Sequence, residues 1–285
     1  MPWTKLNLKI IQVSLALWLS LLWSNLSLAA FAMAYVRPNE HHWENFLQQF
    51  DEHPLEDIRQ EFEEQKNYRR QTAGTKRCPS SANLIVIIPR NVWGFTTNPF
   101  PQFFFYLVRY SDDEPSIEFS LTKNTNEQTE NTNDQIETIY QATFKTALEQ
   151  YQIGYISLPQ EASLVPLEVN QAYNWKFRIF SEDDPGGSAV TGKITRVQLS
   201  PETTTQLEQK TPLEQARIYS SLGVWYDALA ILARLRLEEP DNQNIRREWE
   251  EFLKSVELDT LDTEIATAPL MSEESAPTEI SNKCL

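Results

Sequence analysis

Three histidines, two acidic turns and a few aromatics are where chemistry would have to be found in this chain. His41, His42 and His53 are its whole imidazole complement. All three lie in a polar, charged stretch ahead of the patterned sequence. They read as solvated side chains, because a metal set needs three or four ligands brought together by a fold. With no His after residue 53, a Ser-His-Asp or Cys-His relay in the patterned part is excluded. Asp112, Asp113 and Glu114 share one turn, and Asp183 and Asp184 another. A calcium site or a glycosidase-type acid pair needs oxygens converging from separate loops, and turn propensity alone accounts for both clusters. There is no glycine-rich phosphate loop, C-x-x-C, H-E-x-x-H or G-x-S-x-G. The sequence therefore assigns no catalytic residue, no metal ligand and no cofactor, and a non-enzymatic chain is expected. The candidate binding aromatics are Trp93 and Phe95, ahead of a loop-like Thr96–Phe100, and Trp225 and Trp249 in the helical part. Exposed on a rim, such rings stack on sugars or anchor a protein partner; buried, they are core.

The elements that would position these groups follow a leader. Residues 1–34 carry Lys5 and Lys9, then an uncharged run from Ile10 to Ala34. The run ends in two small-x-small sites, Ala30-Phe31-Ala32 and Ala32-Met33-Ala34, as a secretory signal peptide does. An uncleaved anchor is the alternative, since the run is long enough to span a bilayer; Ser20, Ser24, Asn25 and Ser27 weigh against it. Export to the periplasm or outside the cell is expected. Net charge is −15, and loss of the leader, with two lysines and no acid, makes it −17. That balance argues against nucleic acid, whose phosphates need Lys and Arg, and against broad contact with anionic lipid. Plain solubility accounts for it. Cys78 and Cys284 are the only thiols. An internal disulfide between them, an intermolecular one and free thiols all stay open.

Residues 35–77 form a charged segment and linker. Trp43, Phe46, Leu47 and Phe50 have the spacing of a short amphipathic helix. From residue 83 to 199, within a sandwich domain expected over 78–199, the hydrophobic period is two. Seven strands are predicted, over 84–88, 102–110, 116–121, 136–144, 152–158, 172–181 and 189–199. Strand 102–110 (QFFFYLVRY) is apolar on both faces and so should be central or covered. The polar stretch 122–135 reads as a solvated hairpin loop. Seven short strands in this length predict a β-sandwich of the immunoglobulin or fibronectin type III kind. Leu167 stands six residues before Tyr173 at the head of a late strand, the spacing of a tyrosine corner. An ordinary core Tyr is the alternative.

Helices begin after Leu199. Ser200-Pro201 caps one start, and Thr211-Pro212-Leu213-Glu214 is a capping box with Pro at the first helical position. Helices are predicted over 212–222, 224–238 and 242–256. The second is apolar nearly all round, which demands burial on more than one side. Ala216, Tyr219, Gly223, Tyr226, Ala228 and Pro240 fall near the small and turn positions of one tetratricopeptide-type repeat. One copy cannot bury its own apolar face, so the unit 200–258 is expected to dock on the sandwich. Residues 259–285 read as a disordered acidic tail. The fold class expected is thus mainly β plus α: a seven-stranded sandwich followed by a small C-terminal helical unit.

Several runs in order resemble the family of domain of unknown function 928. They are AGTKRCP (Ala73 to Pro79), LIVIIP followed by Gly94 and Phe95, PQFFFYLVRY, PLEVNQAYNWKF (Pro166 to Phe177), TGKITRVQLSPE, and TPLEQARIYSSLGVWYDALAILARLRLEEPDN. The resemblance implies an exported cyanobacterial protein without an established enzymatic activity, and it carries over no catalytic residue. In the family pattern the strand after the YxW motif often ends in Cys, a partner for the Cys of the CP pair. Ser181 stands there instead, leaving Cys78 free or paired with Cys284. The functional expectation is an exported, non-enzymatic interaction protein of the cell envelope with an envelope or secreted protein as partner. The alternative is a carbohydrate or small-ligand binding module, and a hydrolase comes last.

Overall fold

The computed structural model describes Phe50 and residues 82–89, 92–110, 115–125, 135–145, 151–160, 164–182, 184–255, 262–271 and 278–279. The leader, the three histidines, both cysteines and the turn Asp112–Glu114 lie outside the described residues.

The content is mixed, β followed by α, as the periodicity predicts. Strands β1 (Ala82–Val86), β3 (Gln102–Arg109) and β6 (Gln152–Ser157) form one antiparallel sheet in the order β1-β3-β6. The second sheet holds β2 (Trp93–Thr96), β4 (Ser116–Thr125), β5 (Gln135–Lys145), β7 (Gln171–Phe180), β8 (Ser188–Arg196) and β9 (Thr278–Glu279), in the order β2-β8-β7-β4-β5-β9. All its pairs are antiparallel except β2 with β8. The two sheets meet through rings: Phe103 of β3 packs on Phe119 of β4 at 4.7 Å, and Phe105 on Phe177 of β7 at 5.6 Å. β3 is central in its sheet and buried on both faces, because Phe104 and Tyr106 on its other side are covered too.

The sequence reading differs from this in four places. Thr96–Phe100 does not begin as a loop: Trp93–Thr96 is a strand, paired in parallel with Lys193–Arg196. Its four residues are all buried, so no alternation marks them. The polar stretch 122–135 contributes strand at both ends, through Thr125 and from Gln135, past a bulge at Leu121/Thr122. Here backbone pairing in a hairpin suffices without apolar side chains. Phe50 makes an antiparallel bridge to Leu199 rather than closing a helical turn; the rest of that segment is outside the described residues. Part of the C-terminal stretch 259–285 is ordered, because Ile265, Ala266, Ala268 and Met271 have an apolar surface to cover and are buried there.

Five helices follow the sheets among the described residues: α1 (Pro201–Glu208), α2 (Pro212–Ser221), α3 (Trp225–Glu238), α4 (Gln243–Lys254) and α5 (Asp262–Thr267). Their starts are local chemistry. Ser200 accepts from the Thr203 amide, Thr211 and Glu214 form the full capping box, and Asn242 accepts from the Asn244 and Ile245 amides. α2 and α3 are joined by a tight turn at Gly223, whose φ of 69° favours glycine. α3 begins without a side-chain cap. Its apolar faces meet both α2 and the sheets, and one apolar cluster runs from Leu84 through Trp175 to Trp225 and Phe252.

Candidate functional site

None of the four candidate aromatics reaches the surface. Trp93 and Phe95 are fully buried on β2, in a cluster with Phe50, Val197, Leu207 and Val224. The Trp93 indole N–H donates to Thr195 Oγ1 at 2.9 Å. Lys193 lies over its ring, 5.2 Å from the centroid, and burial lowers the ammonium below its ordinary value. Trp225 stacks on Phe252 at 4.1 Å and donates to the Ile87 carbonyl at 3.3 Å. Trp249 sits beneath the Arg236 guanidinium, 5.1 Å away. Stacking on a ligand needs an exposed face, and these rings spend theirs on protein.

What the structure builds instead is a seam where the α2–α3 hairpin meets the sheets. Tyr226, in the first turn of α3, points into the sheets. Its hydroxyl accepts from the Trp175 indole N–H at 2.9 Å and reaches the Lys193 carbonyl at 3.5 Å. Its ring stands edge-on to Phe103 at 5.4 Å. The next residue, Asp227, points to the β2–β3 connection. Thr96 Oγ1 donates to its Oδ2 at 2.7 Å, and the Thr97 amide donates to both carboxylate oxygens at 3.2 and 3.1 Å. The Thr97 hydroxyl makes a further bond. Three donor groups make four contacts to the one carboxylate, and its place in the first turn suits the helix dipole. Burial nevertheless pushes the Asp227 carboxyl above its ordinary value, against the Thr97 and Thr96 bonds that favour the anion. Arg196 completes the tie, donating to the Leu167 carbonyl at 2.5 Å and the Thr97 carbonyl at 3.4 Å.

A hollow of about 260 Å³ opens over this junction, bounded by Asn98, Gln102, Gln215, Tyr219, Asp227 and Arg234 among others. A second, of about 400 Å³, shares Gln215 and Tyr219 and runs against Arg196 and α1. A third, of about 200 Å³, shares Gln102, Ile231 and Arg234 and continues to Leu237 and Leu270. Amides, one ring hydroxyl and one guanidinium can hold a polar ligand by hydrogen bonds. Burial likewise raises the Tyr219 phenol, so it is a neutral donor. Sequence reasoning missed Asp227. Its signal was present: a single acid in the first turn, within the otherwise apolar run Trp225–Ala233.

At the start of β7, the Glu168 amide donates to the Tyr173 hydroxyl at 2.9 Å, with Leu167 buried beside it. Burial raises the phenol above its ordinary value. Ser181 closes a turn with Asp184 through paired backbone bonds. Among the described residues no group of three or more His, Cys, Asp or Glu gathers as a metal set.

A family model described as Domain of Unknown Function (DUF928) matches residues 65–270. That span is most of the chain, and the chain belongs to this family. No curated protein matches it.

Proposed function

We propose that this DUF928 member is an exported, non-enzymatic interaction protein of the cell envelope, and that the hollow beside Asp227 is where it takes its partner. The observation that carries this reading is the seam itself. A helical hairpin of the kind that other proteins stack into binding arrays is here spent once, against sheets, and leaves a polar hollow at the junction. The leader and the two small-x-small sites support export. No helix among the described residues is long and apolar enough to cross a membrane.

Two finer readings of the architecture belong with this proposal. Lettered along the chain, β1-β3-β6 against β2-β8-β7-β4-β5 gives A-B-E against A′-G-F-C-C′, an immunoglobulin-like order. The Tyr173 bond to the Glu168 amide supports it as a tyrosine corner. A tetratricopeptide-type hairpin is supported by the buried small residues Ala216 and Ala228 on its two helices and by the turn at Gly223.

Arg234 is the residue to change first, because it lines the hollow and stays exposed, with a long contact to Glu238 at 3.9 Å. Arg234→Glu should leave the unfolding midpoint in place and remove the partner captured by the tagged wild-type chain from envelope extract. Identical captures from both would sink the assignment. A second reading, a small hydroxyl-rich ligand such as a saccharide, is favoured by the amides of Asn98, Gln102 and Gln215 around Tyr219. A glycan array with no signal above an Arg234→Glu control would rule against it.

A further inference from the structure

The stretch that follows α4 touches both sheets and the helices. α5 packs on α4, with Ile265 fully buried. Arg236 of α3 donates to the Ala268 carbonyl at 2.8 Å. The next residues lie along β6. The Ile153 amide donates to the Pro269 carbonyl and the Met271 amide to the Ile153 carbonyl, both at 2.9 Å, which makes a parallel bridge between Ile153 and Leu270. Met271 is fully buried. Further on, β9 pairs Thr278 and Glu279 with Lys145 and Phe144 of β5. Now β6 is the outer strand of the three-stranded sheet, and β5 would be the outer strand of the larger one without β9. One stretch of chain therefore lies on the exposed flank of each.

We propose that residues 262–271, together with Thr278 and Glu279, act as a strap that covers the outer strands of both sheets and so prevents strand addition by a second copy of the chain. An outer strand presents a row of N–H and C=O groups that any extended chain can pair with, and proteins blunt such edges with charge, proline or a cover. β6, QIGYIS, has neither a charged residue nor a proline. β5 leaves Ile136 at 66% exposure near its far end. On β6 the protection that side chains do not supply comes from the strap, and on β5, which carries Glu137 and Lys145, the strap adds to it. A second copy is the partner it guards against, because the same two edges occur on every molecule.

The strap is released in the full-length chain by placing carboxylates where Ile265 and Met271 are buried. In the Ile265→Asp/Met271→Asp variant, the Ile153 amide should exchange at least about tenfold faster than in wild type, an opening that follows from losing its bond to Pro269. The mass measured by light scattering should then rise with concentration, while that of wild type stays constant. Adding Ile136→Lys and Ser157→Lys, charges on the two edges, should restore a constant mass. Unchanged exchange at Ile153 would show that no strap had been holding it. Faster exchange with a constant mass would overturn the sealing role. Association that the two lysines fail to reverse would mean that unfolded chains, not strand edges, are sticking, and would overturn it as well.

Discussion

The seam between α3 and the sheets and the seam between α2 and α4 lie side by side, and they close in different ways. At the helix–sheet seam the polar tips are answered: Trp225 on Ile87, Tyr226 on Trp175, Asp227 on Thr96 and Thr97. At the helix–helix seam Arg217 pairs with the buried Glu248 through one contact. Glu248 Oε2, Arg217 Nε, Ser220 Oγ and Trp249 Nε1 find no hydrogen-bond partner among the described residues. The difference is instructive. Two helices can be held by apolar fit with tolerance in register. A helix laid on sheets, whose side chains face different elements at each turn, is fixed by directional bonds.

The largest effect expected from breaking the first seam is Trp225→Ala. It empties a fully buried site against Phe252 and should cost about 3–5 kcal/mol in urea unfolding. At the second seam, Arg217→Met strands the Glu248 carboxylate, which is 4% exposed, and should cost about 3 kcal/mol. The double variant Arg217→Met/Glu248→Leu should return near wild-type stability, because a buried ion pair with unfilled bonds gains little over apolar packing. If the double variant stays as unstable as the single one, the ion pair specifies that seam after all and the contrast fails.

Asp227→Asn probes the first seam more gently. An amide cannot accept all four bonds, and about 1–2 kcal/mol should be lost near neutral pH. The pH dependence has a definite sign. Because burial raises the carboxyl in the folded chain, the folded state binds more protons than the unfolded one just above the ordinary carboxylate range. Stability from this group is then greatest at acid pH and falls as pH rises through the raised value. Asp227→Asn should flatten that decline, as unfolding midpoints measured across a series of acid to neutral buffers would reveal.

Much of the frame was legible in the residues. Alternation located β4, β7 and β8, a continuous apolar run located β3, and Ser200 and Thr211 marked helix starts, because such signals are local. β2 was not legible. Trp-Gly-Phe-Thr has no period, and it becomes a strand only by pairing with β8 about a hundred residues later. The ordered part of the C-terminal stretch was hidden for the same reason: Leu270 and Met271 look like isolated apolar residues until β6 is beside them. The candidate site was least readable. Its aromatics were visible as rings, but whether each is core or surface depends on distant neighbours such as Phe50 and Leu207. The Asp227 carboxylate finds its donors 130 and 131 residues away, a pairing that no spacing rule encodes.

The central claim is that the helical hairpin and the sheets are one body joined at the Tyr226–Asp227 seam. Hydrogen exchange of the Leu232 amide in α3 and the Phe177 amide in β7 gives each region its own opening free energy. The account predicts the same value for both, and the same fall in both for Trp225→Ala. Leu232 exchanging at a markedly lower free energy than Phe177 in the wild-type chain would contradict it, because the hairpin would then open while the sheets stay closed.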